Sequence, residues 1–264
     1  MYVTARRLVG SAVVILTALV GACSAAPSWG AVEDAAGERQ RVQCRGTSGT
    51  AVVFVHGIGD KPGSASFRQV IDKLPEDRRV CRYDRPGAGD SPEPKRHRRD
   101  AEQLDLELDS VVRRADPDRP VLLVGHSFGS FPVLTYAAYH RQRVAGIVLV
   151  DGVDPQLGLL SALGTSSWAA VRMAKEDLNL QAVQDQTSAA VAEAASTFVD
   201  LPLVVLRREK NLTPAWLNAQ ERLASLSSKG RLFVAVGSGH EVPTDNPGAV
   251  ADAINEASLC QVFF

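Results

Sequence analysis

Gly125-His126-Ser127-Phe128-Gly129 is a G-x-S-x-G pentapeptide that follows the apolar run 121–124 and precedes a stretch of helical composition. At a strand-to-helix turn, glycines let the backbone bend sharply enough to hold the serine oxygen out toward a substrate. The chemistry open to such a serine is acyl transfer, provided a base takes its proton, because a free hydroxyl is a weak nucleophile at neutral pH. Of five histidines, His240 is the best-placed base: Gly237-Ser238-Gly239-His240 lies just beyond the strand candidate 232–236, in a loop of small residues that can carry an imidazole back over a sheet. His126 adjoins the nucleophile, but neighbours on a sharp turn point away from each other. His97 belongs to the basic run Lys95-Arg96-His97-Arg98-Arg99, which reads as a solvated loop, and His140 ends the helix after the pentapeptide, a capping position.

A base of this kind needs an acid to hold its tautomer and to stabilise the imidazolium. Two carboxylates compete. Asp151 follows the apolar run 146–150 and so projects from a strand end, where ligand-side groups collect in open parallel sheets. Glu209 follows the next strand, in Arg207-Arg208-Glu209-Lys210, and its flanking cations suit an exposed ion-paired loop. Asp151 is favoured, Glu209 is the alternative acid, and Asp154 is a weaker third. The oxyanion that develops on a substrate needs preorganised N–H donors. We assign these to Phe128, immediately after the nucleophile, and to Ile58 in Phe54-Val55-His56-Gly57-Ile58-Gly59, where small residues permit close approach. His56 is expected to fix that loop by hydrogen bonding.

The elements that must position these groups alternate along the chain. Strand candidates at 51–55, 79–83, 121–124, 144–150, 201–206 and 232–236 are separated by helical segments, a pattern that implies a mostly parallel central sheet with helices on both faces. Leu104, Leu108, Val111, Val112 and Ala115 recur at helical spacing and predict a surface helix with one buried stripe. About fifty residues, 152–200, separate two of the strands, far more than an ordinary connection of 2–6 residues requires. Trp168, Val171, Met173, Leu178, Leu180, Val183 and Val191 lie there at loosely helical intervals, so this insertion is expected to form a helical cap over the ligand side of the sheet, the alternative being extra packing helices.

Taken jointly, His56-Gly57, the segment Tyr83-Asp84-Arg85-Pro86-Gly87-Ala88-Gly89-Asp90-Ser91, the pentapeptide at Ser127 and the late Gly239-His240 resemble the α/β-hydrolase superfamily from about residue 41 to the C-terminus. The resemblance implies an α/β fold with a catalytic order Ser, acid, His, and a structural turn at 84–91 near the pocket rim. Lys210 and Asn211 stand where the family's usual acid follows the seventh strand. This supports Asp151, since a subset of the superfamily, including some haloalkane dehalogenases, carries its acid after the sixth strand. Dehalogenases and epoxide hydrolases themselves are less similar, because their nucleophile is an aspartate.

The N-terminus has a separate logic. Arg6 and Arg7 precede the 13-residue apolar run 8–20, too short for the roughly 20 residues that span a bilayer, and Val20-Gly21-Ala22-Cys23 resembles a bacterial lipobox. Residues 1–22 are therefore expected to be a signal peptide, Cys23 a lipidated mature N-terminus, residues 23–40 an anchored tether, and 41–264 the hydrolase domain. The alternative is cleavage after Ser24-Ala25-Ala26 and secretion as a soluble protein. Two acyl chains suffice for stable anchoring where one is marginal. Export permits disulfides. Cys44 and Cys81 each lie in a short β-like segment, 41–45 and 79–83, and are the favoured pair, with Cys260 left free; the alternative is three buried thiols.

Composition excludes other classes. The 264 residues are 45% hydrophobic and 22% charged, with a net charge of −1 that becomes −3 without Arg6 and Arg7, a balance that argues against a nucleic-acid surface. No Cys/His cluster suggests a metal, the third glycine of a dinucleotide fingerprint is missing, and no cofactor is expected. The expected activity is cleavage of small-molecule carboxylic esters through an acyl-enzyme at a membrane-anchored enzyme, with its oligomeric state left open. The rival readings are a surface-anchored binding protein on a silent hydrolase scaffold and an acyltransferase, in which an alcohol intercepts the acyl-enzyme.

Overall fold

The computed structural model describes residues 30–58, 65–158 and 175–259. Its eight strands are β1 (Ala31–Ala35), β2 (Glu38–Arg45), β3 (Ser48–Val55), β4 (Arg78–Asp84), β5 (Val121–His126), β6 (Val144–Val150), β7 (Leu203–Arg208) and β8 (Gly230–Ala235), and they form one sheet in the order β1-β2-β4-β3-β5-β6-β7-β8. β2 is antiparallel to both its neighbours and the remaining pairs are parallel. Every residue of β5 is buried, as is most of β6, which is why these strands read as unbroken apolar runs: both faces are covered.

The period-2 alternation of side chains sorts the core into two layers. Val53, Val55, Leu123 and Leu149 face one layer, closed by α2 (Ala101–Ala115), α3 (Ser130–Tyr139) and α6 (Pro214–Ser225). Val52, Phe54, Leu122 and Val148 face the other, closed by α1 (Arg68–Ile71), α7 (Val242–Asp245) and α8 (Pro247–Leu259). α2 starts where the Asp100 side chain accepts from Gln103 N–H and ends on Arg113 and Arg114, which complement its dipole; all five residues of the expected stripe are buried.

One expectation is corrected. The tether was expected to extend through residue 40, but residues 31–35 form β1 and residues 38–40 begin β2, a hairpin on the sheet edge. The strand signal is hidden because inward positions are polar: buried Glu38 accepts from Lys95 N–H and Arg96 N–H at 2.8 and 2.7 Å, and Gln40 Nε2 donates to Ser110 Oγ at 2.8 Å. The expected cap has its middle, residues 159–174, outside the described residues. Its described C-terminal part, α4 (Leu180–Glu193) and α5 (Ala195–Phe198), packs on the helical layer of the sheet, with α4 against α2 and α3 and Phe198 in the core. Thr135 and Thr187 hydrogen-bond across α3 and α4 at 2.8 Å. Trp168, Val171 and Met173 lie outside the described residues, as do Cys23 and Cys260.

Cys44 and Cys81 face each other in the β2–β4 register, with Cα atoms 4.1 Å apart, and are disulfide-bonded. The bond ties β2 to β4, the strand that leads into the 84–91 turn.

Candidate active site

Ser127 stands where β5 passes into α3, and its φ of 52° lies in the left-handed region that a side chain rarely adopts. That conformation costs about 1–3 kcal/mol and is held by its surroundings. The flanking glycines are the reason it fits. A Cβ on Gly125 would come within 2.7 Å of Gly129 O, and one on Gly129 within 2.2 Å of Val55 O, so the turn is pressed against itself and against the end of β3.

The loop after β8 returns His240 to this point. Its Nε2 is 2.9 Å from Ser127 Oγ and its Nδ1 is 2.6 Å from Asp151 Oδ2. Asp151 is fully buried, and like Ser127 it has positive φ, 43°, at the first position after β6. The structure therefore brings three of the expected site residues into one hydrogen-bonded chain. His126 Nε2–H donates to the His240 carbonyl at 2.9 Å, so this neighbour of the nucleophile braces the backbone of the base. His97 and His140 are elsewhere, paired with Asp177 and Asp105.

Residues 50–183 match the family described as alpha/beta hydrolase fold. The chain belongs to the alpha/beta hydrolase family. It is 28% identical over 227 residues to the Bacillus subtilis (strain 168) protein YqjL, described as uncharacterized; the match covers 82% of this chain and 87% of that one. Among solved structures, a meta-cleavage product hydrolase from Pseudomonas fluorescens IP01 superposes with a TM-score of 0.61 at 20% identity, covering 86% of this chain and 98% of the other. The enol-lactonase from Burkholderia xenovorans LB400 does so with a TM-score of 0.61 at 16% identity, covering 86% and 99%. At these identities the structural likeness speaks for the fold.

In this alpha/beta hydrolase the competing acids part company. Glu209 turns away from the imidazole and accepts from Gly237 N–H at 2.7 Å, tying β7 to the loop that carries His240. Asp154 pairs with Arg222 on α6 at 2.7 Å. Asp151 gathers further donors: Arg208 Nη1 at 2.8 Å on Oδ2, Arg208 N–H at 3.2 Å and Trp216 Nε1 at 3.0 Å on Oδ1. Burial pushes the Asp151 carboxyl up. The His240 hydrogen bond and charge, with the guanidinium and N–H of Arg208, outweigh burial and hold it below the usual carboxylate range.

Arg208 and Trp216 were missed by sequence reasoning. Arg208 ends β7, its guanidinium 4.3 Å from the centre of the Trp216 ring, and Thr213 caps α6 so that Trp216 falls in its first turn. In the sequence Arg208 counted only as a cation beside Glu209. The usable signal was its position: the last residue of a parallel strand points to the ligand side.

An apolar cluster lies beside Ser127. Leu104, Phe128, Phe131, Val153, Val183 and Trp216 are buried together, with Ile58 and Leu212 packed against them. Ile58 and Phe128, the two assigned N–H donors, belong to this same cluster. Among the described residues no group of three or more His, Cys, Asp or Glu could hold a metal ion.

Proposed function

We propose that this chain is an exported serine hydrolase that cleaves carboxylic esters. The observation that carries the reading is the unbroken chain from Ser127 Oγ through both nitrogens of His240 to the buried Asp151. In the proposed reaction Ser127 Oγ attacks the ester carbonyl carbon while its proton passes to His240 Nε2. The carbonyl electrons move onto oxygen, which the N–H groups of Ile58 and Phe128 receive. Collapse of this intermediate expels the alcohol, which takes the proton from His240, and leaves an acyl-enzyme. Water, deprotonated by His240, then repeats the sequence and releases the acid. The apolar cluster beside Ser127 favours an apolar acyl or alcohol group.

Export is supported by the pattern of residues 1–23 and by the Cys44–Cys81 disulfide, since disulfides persist outside a reducing cytoplasm. Lipidation of Cys23 would hold the enzyme on the outer side of the membrane.

One experiment tests both parts. A fluorophosphonate probe applied to fractionated cells expressing the full chain is expected to label the protein in the membrane fraction. Ser127→Ala is expected to abolish the label, and Cys23→Ser to remove the protein from that fraction. Failure to label the native chain would favour the silent binding protein; membrane retention of Cys23→Ser would remove the anchor. Transfer of the acyl group to an added alcohol in preference to water would identify an acyltransferase.

A further inference from the structure

We propose that Arg85 is the positioning residue of the oxyanion site: its buried guanidinium fixes the backbone on which Ile58 N–H is carried and supports the ring of Phe128. The inference rests on the serine-hydrolase reading above and names a residue to which that reading gave no role.

Arg85 is the first residue after β4, and none of its surface reaches solvent. Its Nη1 donates to His56 O at 2.7 Å and its Nη2 to Gly57 O at 2.8 Å. Its backbone N–H donates to His56 Nε2 at 3.1 Å, so the His56 proton resides on Nδ1, which donates to the same Gly57 O at 2.7 Å. Two donors thus converge on the Gly57 carbonyl. That carbonyl and Ile58 N–H belong to one peptide group, which is planar and trans, so the C=O and N–H point in opposite directions. Fixing the carbonyl oxygen therefore aims the amide hydrogen. The peptide cannot rotate without giving up both bonds.

The second donor is tied to the same cation. Arg85 lies 5.0 Å from the centre of the Phe128 ring, and the backbone at Gly129 is seated on Val55 O, directly before His56. One side chain thus holds the Gly57 carbonyl, whose peptide carries Ile58 N–H, and packs on the ring of Phe128.

A buried cation must be compensated. Glu176, within the long insertion, supplies the charge through Arg85 Nε at 2.8 Å. A second buried pair, Arg99 with Glu107 at 2.8 Å, secures this partner, because Arg99 Nη1 also donates to the Glu176 carbonyl. Arginine suits the position because its planar fork serves two carbonyls and a carboxylate at once; a lysine ammonium lacks that geometry.

The test compares the native chain with Arg85→Lys and with the paired substitution Arg85→Met and Glu176→Leu, which removes both buried charges and keeps the site filled. Three quantities are measured on an ester substrate series: kcat and KM, inhibition by a trifluoromethyl ketone, and inhibition by the matching unreactive amide. The ketone accepts a bond from Ser127 Oγ and becomes a tetrahedral oxyanion, whereas the amide stays trigonal. Both variants are expected to lose kcat and ketone affinity together, by about 10²-fold as for loss of one oxyanion donor, with KM and amide affinity unchanged. Native kcat and ketone affinity in either folded variant would overturn the proposal. Parallel loss of ketone and amide affinity would also overturn it, since that marks a merely structural role. If neither variant folds, Glu176→Gln must show the same split at smaller size, and its absence counts against Arg85. Absence of Ser127-dependent hydrolysis in the native chain would instead remove the underlying reading.

Discussion

Two sides of the site are built differently, though each is organised around one arginine. On the oxyanion side, at the ends of β3, β4 and β5, Arg85 is buried, has Glu176 as its partner and binds backbone carbonyls, and the adjoining strands β2 and β4 are joined by a disulfide. On the acid–base side, at the ends of β6, β7 and β8, Arg208 is partly exposed and shares its carboxylate with His240: Arg208 Nη1 and His240 Nδ1 lie 3.2 Å apart, both aimed at Asp151 Oδ2. The first side holds groups that keep their charge through the reaction. The second contains the imidazole that gains and loses a proton in the proposed reaction, and its carboxylate is shared between that imidazole and a permanent cation. In the proposed reaction, rigidity is concentrated where charge would appear on substrate, and competition where a proton would move.

The contrast can be broken in three places, taken from the largest expected effect. Asp151→Asn should lower kcat for ester hydrolysis by about 10⁴, because the imidazole loses its tautomer control, while Glu209→Gln stays near the native rate. Comparable losses in the two variants would dissolve the division between acid and loop tie. Next, Cys44→Ser with Cys81→Ser opens a cross-link spanning 37 residues and should cost about 3–4 kcal/mol in urea unfolding, with kcat preserved well below the unfolding transition. A fall in kcat without a fall in stability would mean that the cross-link acts on the chemistry.

The smallest effect is expected at Arg208. Asp151 is held below the usual carboxylate range, so the interaction contributes stability above the unfolded carboxyl pKa near ~3.9 and loses it as pH falls through the lower folded value. Arg208→Gln should therefore destabilise by roughly 1–3 kcal/mol at neutral pH, and the gap to the native chain should narrow below about pH 4. Unfolding curves at both pH values check this. A gap that is the same at both would show that Arg208 acts through its packing on Trp216 alone.

Legibility in the sequence followed apolar runs, which mark the exposed edge strand β8 as well as the buried strands. β3 and β5 to β7 could be read because covered parallel strands are apolar throughout, and Ser127 and His240 because glycines mark the turns that carry them. β1 escaped because its partner strand turns Glu38 and Gln40 inward and satisfies them with backbone and hydroxyl groups remote in sequence, which no local periodicity records. The choice between Asp151 and Glu209 stayed open for a similar reason. What separates them is the direction of two side chains at neighbouring strand ends, a property of the sheet as a whole. Arg85 lay within the segment that carried the family resemblance, yet its partner stands 91 residues away.

His240 arrives on the loop after β8, an edge strand, 113 residues beyond Ser127. The nucleophile, its strained turn and the acid can all be in place before this strand joins the sheet, but proton transfer cannot. The hydrogen-bonded chain of Ser127, His240 and Asp151 thus depends on the seating of an edge strand, whereas Ser127 and Asp151 themselves stand at the ends of the buried strands β5 and β6.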